Sequence, residues 1–159
     1  LLAAKILAAT VLATLQIYAF LALAAALGYW MTPWGTVLIL PAIIAGGMML
    51  GSIGLRVSVY TRQIENFAGM MNFVIFPMFF MSSALYPLWK LRESGAEALY
   101  WIALFNPFTH AVELVRWAAY GKFNGVSCAV VLGAGAVAFA LAARGYDPNR
   151  GAIRQIKRD

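Results

Sequence analysis

The chain has 159 residues, 63% of them hydrophobic and 11% charged, with a mean hydropathy of +0.78, whereas a soluble domain is about half apolar and a quarter charged. That balance excludes an ordinary water-soluble domain and makes a lipid bilayer the solvent. The net charge of +6 does not point to nucleic acid, because the basic residues sit beside hydrophobic stretches instead of along an exposed stripe, and the single cysteine, Cys128, is read as a small core residue with no disulfide framework around it.

A helix needs about 20 apolar residues to cross the hydrocarbon core, and four segments reach or approach that length. The first, about 6–29, is interrupted only by Thr10, Thr14 and Gln16, and threonine hydroxyls can bond back to their own helix. No cleavage-site pattern follows it, so it reads as a span and not as a signal peptide. With Leu1 in place of an initiator Met, the chain reads as a fragment whose N-terminal part is missing. Trp30, Pro33 and Trp34 then mark an interfacial turn.

The second span, about 37–55, carries Gly46, Gly47, Gly51 and Gly54. Gly47 and Gly51 form a small-xxx-small pair, which lets helix backbones approach closely; packing within one subunit is expected ahead of a dimer seam. RVSVYTRQIEN, residues 56–66, is a polar break before the third span, about 67–86, which contains Asn72 and the kink-forming Pro77. The fourth span, about 126–143, is followed by a basic tail, 144–159, with a turn signal at Asp147, Pro148 and Asn149.

Counting Lys and Arg on the two sides of this arrangement gives its orientation, since short cytoplasmic loops hold the excess. Lys5, Arg56, Arg62, Arg144, Arg150, Arg154, Lys157 and Arg158 face Lys90, Arg92, Arg116 and Lys122, eight against four. The 56–66 loop and the C-terminus are therefore expected in the cytoplasm, and residues 87–125 outside.

That outer segment is too apolar for a solvated loop, with Trp89, Leu91, Leu99, Tyr100, Trp101, Ile102, Leu104 and Phe105. Its two helical stretches, about 97–105 and 108–120, are too short to span, which predicts a re-entrant or interfacial helical hairpin. Asn106 is the expected N-cap of the second helix, Pro107 its first residue and Gly121 its C-terminal stop. His110, Glu113 and Arg116 recur every third residue as one polar line opposite Ala111, Leu114, Val115 and Ala118, with Glu113 and Arg116 in pairing distance. Two readings of that line stay open: a solvated face with a local ion pair, or a polar line at an exit pathway or gate.

Other chemistries find no support. One histidine and one cysteine do not supply a zinc site, and neither Ser82, Ser83 nor Ser127 sits in a GxSxG elbow for which His110 would be the base. No phosphate-binding P-loop and no TVGYG-like filter of an ion channel is present.

The order of elements, a polar cytoplasmic loop, a span ending FMSSALYPLWKL, an outer hairpin carrying FNPFTHAVELVR and a final span, resembles the C-terminal part of the permease subunits of type-2 ATP-binding cassette (ABC) exporters. Asn106, Pro107 and the Glu113 to Arg116 helix look like that family's NPxTxxxxxxR pattern, and Pro87 like the proline after the preceding span. The GYDPNRG ending resembles the branch of nodulation lipooligosaccharide and drug exporters. The resemblance implies an all-α integral membrane protein of the type-2 ABC permease fold, truncated at the N-terminus: four transmembrane helices plus an outer hairpin at 87–125, in a single transmembrane domain of the bacterial inner membrane. It implies pairing with a second permease copy, identical or not, within membrane lipids, and docking of a cytoplasmic ABC ATPase that itself carries ATP and Mg, with no cofactor in this chain. Arg62, Gln63, Glu65 and Asn66 would form the ATPase-coupling loop. Pro87, Trp89, Asn106, Pro107, His110, Glu113 and Arg116 would form the outer gate, passing an amphipathic, lipid-linked or drug-like cargo. The alternative from another class is a membrane structural or assembly protein that transports nothing.

Overall fold

Long runs of Ala, Leu, Val and Ile without a water partner for the backbone have one local solution in lipid, the helix, in which every interior N–H and C=O is paired. In the computed structural model, which describes residues 2–61 and 64–145, the described residues fold as seven helices with no strand. Three are long and apolar enough to cross a membrane: α1 (Leu2–Ala26), α2 (Pro33–Tyr60) and α7 (Gly125–Gly145). At 1.5 Å per residue they measure about 32 to 42 Å, against a hydrocarbon core of about 30 Å.

Helix α3 (Ile64–Phe80) has 17 residues, or about 26 Å. It therefore stops short of the expected 67–86 stretch. The reason is local. Ser82 Oγ donates to Phe79 O at 2.6 Å and accepts from Ala84 N at 3.1 Å, diverting the backbone from helical pairing, and Pro87 brings no N–H to a continued helix. Three short helices follow, α4 (Leu88–Glu93), α5 (Glu97–Phe105) and α6 (Pro107–Ala119). The basic tail from residue 146 onward, including Asp147, Pro148 and Asn149, lies outside the described residues.

Helix α2 is the hub, with α1, α6 and α7 packed on it. Side-chain size sets how close each comes. A Cβ on Gly47 would lie 3.0 Å from Thr10 Cγ2, and one on Gly51 would lie 3.1 Å from Ile6 Cγ2, so the glycine pair receives α1 of the same chain. Tyr18 donates to Thr36 O at 2.7 Å further along, so α1 and α2 run antiparallel. Two of the three polar interruptions of α1 are silenced locally, Thr10 Oγ1 donating to Ile6 O and Thr14 Oγ1 to Thr10 O, both at 2.8 Å.

On the other side α7 runs parallel to α2, with Gly135 against Met49 and Arg56 Nη1 reaching Leu141 O. The core is completed by α6: Ala42 and Met49 of α2, Ala111, Leu114 and Ala118 of α6, and Val131 of α7 form one buried cluster, with Cys128 packed against it. Much of the outer surface of α1 is apolar and exposed, including Val11, Leu15 and Phe20, as a lipid-facing surface must be.

Candidate functional site

The two arms of the hairpin meet at Asn106. Its Oδ1 accepts from Phe108 N at 3.0 Å and Pro107 follows at the first helical position, so α6 starts with its orphan donors covered. At the other end Gly121 takes φ +72, and Gly121 N and Lys122 N donate to Ala118 O and Trp117 O, both at 2.9 Å. These are the paired bonds of a Schellman stop.

The contacts along α2 place this short helix in depth. The α6 end meets the first turn of α2, where a Cβ on Gly35 would stand 2.2 Å from the Ala119 carbonyl oxygen; Ala111, in the second turn of α6, meets Gly46, whose Cβ would lie 3.5 Å from Ala111 Cβ. Helix α6 therefore runs antiparallel to α2; Gly46 lies about 20 Å along α2 from Pro33, and the hairpin tip about one turn beyond it. The hairpin is re-entrant along α2, with its tip near the middle of that helix.

At that depth a broken helix needs internal partners, because lipid offers none. The break after α3 finds them on α6. Asn106 Nδ2 donates to Met78 O at 2.6 Å and Met81 O at 3.2 Å. Thr109 Oγ1 accepts from Ser83 N at 3.2 Å, Ser83 Oγ approaches Thr109 O at 3.5 Å, and Arg116 Nη2 donates to Ser83 O at 2.9 Å. Ser82, Ser83 and Thr109 are all buried. At about 0.6 kcal/mol for an average interhelical hydrogen bond in a membrane protein, the set is worth on the order of 2–3 kcal/mol; its larger effect is to satisfy backbone groups that would otherwise be orphaned.

The expected polar line divides in two. Steps of three residues advance 300° on a 100° helix, so His110 and Arg116 end about 120° apart. Arg116 Nη1 donates to Glu113 Oε1, the side chains 32% and 12% exposed, and this pair turns toward Ser83. His110 is 8% exposed and turns the other way. Its Nε2 lies 2.9 Å from Leu104 O and its Nδ1 3.3 Å from Ser127 Oγ. A carbonyl only accepts, so Nε2 carries a proton and, in the neutral ring, Nδ1 accepts from the serine. Ser127 N in turn donates to Asn124 Oδ1 at 3.0 Å, the cap of α7. His110 thus ties α5, α6 and the start of α7 together. The His110–Ser127 contact has a backbone carbonyl where a nucleophilic triad has a carboxylate, and Ser127 is 2% exposed, so the pair is a structural tie.

The remaining expected residues lie apart from this cluster. Pro87 precedes α4 without a side-chain cap bond, and Trp89 is 63% exposed. Asn66 is exposed on the first turn of α3; Arg62, Gln63 and the side chain of Glu65 lie outside the described residues. Trp101 and Phe105 stack with ring centroids 6.2 Å apart and are exposed beside the tip. Among the described residues no three His, Cys, Asp or Glu side chains gather where a metal would be held. Ser83, Thr109 and Gly35 were not among the expected gate residues; Thr109 stands in the NPxTxxxxxxR pattern, and Ser83 beside Ser82 in a run of small polar residues inside an apolar stretch.

The three long apolar helices agree with what comparison of sequences finds. The chain is 33% identical over 100 residues to "Nodulation protein J" of Rhizobium leguminosarum bv. viciae, covering 62% of this chain and 36% of that protein. It is 34% identical over 94 residues to the protein of the same name from bv. trifolii, covering 58% and 34%. The match thus spans about a third of the length of these curated relatives. No solved structure matches the chain. Residues 1–120 match the protein family described as ABC-2 type transporter, and the chain belongs to that family as part of a transporter's membrane subunit.

Proposed function

We propose that this chain is the C-terminal part of the permease of an ATP-driven exporter that moves an amphipathic, lipid-linked or drug-like molecule across the bacterial inner membrane. The observation that carries the reading is the re-entrant hairpin. A hairpin of 23 residues, Glu97–Phe105, Asn106 and Pro107–Ala119, that lays its second arm beside α2 without crossing the bilayer makes sense where a path must be closed from one side and opened on demand. Two such hairpins, one from each copy of a permease dimer, would form a lid over the exit. Trp89, Trp101 and Phe105 would face the path or the headgroups, and Pro87, Asn106, Pro107, His110, Glu113 and Arg116 would hold the lid's shape.

Energy would come from a separate cytoplasmic ATPase carrying ATP and Mg, docked at the 56–66 segment through Arg62, Gln63, Glu65 and Asn66. The excess of Lys and Arg at that end and in the tail supports a cytoplasmic C-terminus. In this arrangement residues 6–29, 37–55, 67–86 and 126–143 account for four crossings of one transmembrane domain, with 87–125 on the outer side and 144–159 inside. Copurification of the full-length permease with its genomic neighbour ATPase, followed by hydrolysis assays in lipid, tests this. A stable complex with permease-dependent hydrolysis supports it; absence of a complex under gentle extraction favours a structural or assembly role.

A further inference from the structure

Helix α3 is held unlike the other described helices. From Ala68 to Phe80 none of its described side chains is buried, whereas α2, α6 and α7 each contribute to the core cluster. It is held at its middle and at its end. Midway along, Thr61 Oγ1 meets Met70 Sδ at 3.4 Å, and Met71 lies over Gly54. At the finish stand the bonds from Asn106, Thr109 and Arg116 to the carbonyls and amides of 78–83. A rod that touches α2 midway, is tied at its far end and has no buried side chain between transmits displacement along its length, because a helix resists stretching while its exposed flank slides past lipid.

Where the rod ends, the tie is directional. Asn106 is both the cap of α6 and the donor to α3, so the last turn of α3 and the first turn of α6 share one side chain. Thr109 and Arg116, one and three turns farther along α6, grip the same Ser83. Any shift of the α3 end is therefore passed to α6 at two heights, as a tilt and not as a slip. Pro77, inside α3 and just before the tie, leaves one carbonyl of the preceding turn without its helical donor, a place where the rod bends.

We infer that Asn106, Thr109 and Arg116 are positioning residues that couple α3 to the hairpin, so that movement at the α2–α3 end reaches the hairpin tip through them. The inference rests on the permease reading above, in which that end meets the ATPase. It differs from a support role in what it predicts: loosening the tie leaves hydrolysis running and disconnects the tip.

The test uses the full-length permease with its ATPase in proteoliposomes, in a Cys128→Ser background, with Phe105→Cys as reporter. Phe105 is 80% exposed and adjoins Asn106. A small hydrophilic thiol reagent is the probe, and its labelling rate is measured with and without ATP beside the hydrolysis rate. Asn106→Ser keeps a helix cap but removes both amide donors to α3; Thr109→Val keeps shape but removes the acceptor for Ser83 N; Thr109→Ser keeps that acceptor. The expected result is a several-fold ATP-dependent change in labelling in the parent and in Thr109→Ser. In Asn106→Ser and Thr109→Val that change disappears while hydrolysis stays near the parent rate. An ATP response that survives both substitutions overturns the inference. So does a parallel fall of assembly, hydrolysis and response, which marks a purely structural tie. If the parent complex hydrolyses nothing and does not respond, the permease reading fails and the coupling role with it.

Discussion

The α1–α2–α7 bundle and the α3–α6 junction share one solvent and one chain yet are held together by different means. In the bundle, close approach does the work: Gly47 and Gly51 let side chains of α1, and Gly135 the backbone of α2 at Met49, come to 3.0–3.3 Å of where a Cβ would stand, and hydroxyls bond back into their own helices. At the junction a helix is interrupted at depth, and polar side chains from another helix take over its backbone groups. Apolar packing has no hydrophobic drive between helices in lipid, so fit decides the first region, while the cost of an orphaned polar group decides the second.

The sharpest way to break the contrast is Gly35→Ala. Here α2 and α6 touch backbone to backbone, and a Cβ would meet the Ala119 carbonyl at 2.2 Å, a distance that nothing flexible can relieve. Overpacking of this kind costs about 3 kcal/mol or more, so the expected outcome is loss of folded protein from the membrane fraction, read by abundance and thermal unfolding. Normal abundance and an unchanged unfolding temperature would show that α6 does not sit against α2 as described.

Arg116→Ala should come next. It removes the donor to Ser83 O and leaves Glu113, 12% exposed, without its cation; allowing for the partly open site, about 1–2 kcal/mol is expected. The double variant with Glu113→Gln should recover part of the loss in thermal unfolding, because the orphan charge goes too. A double variant less stable than the single one would argue against the pair.

His110→Ala should cost about 1 kcal/mol for lost hydrogen bonds, and Ser127→Ala less. The informative measurement is hydrogen exchange at the start of α7, which should speed up for both variants if His110 ties that helix to the hairpin. The smallest effect is expected at Gly51→Ala. The nearest contact of the added methyl is with the Ile6 side chain, at 3.1 Å from Cγ2, and alanine gains about 1 kcal/mol of helix propensity over glycine; the net change should stay within about 1 kcal/mol. A loss as large as that of Gly35→Ala would erase the distinction between contact with a side chain and contact with a backbone.

Legibility in the sequence followed the range of the forces. Caps act over three or four residues, so Asn106, Pro107 and Gly121 announced the bounds of α6, and the apolar lengths announced α1, α2 and α7. The division of His110 from Glu113 and Arg116 was lost because a spacing of three looks like a line on paper and drifts by about 60° per step on a helix. Ser83 and Thr109 are 26 residues apart, and no local pattern pairs a hydroxyl in one helix with an amide after another.

By itself, then, the sequence determined the solvent, the helical class, the long apolar helices and the capped ends of the hairpin, all consequences of composition and of interactions between near neighbours. The tertiary structure alone decided that α6 lies inside the notch of α2 and α7, that Gly35 marks the closest contact, and which carbonyls Asn106 and Arg116 serve. Those outcomes depend on which distant backbone group is left without a partner in lipid, and that is known only once the helices have been placed side by side.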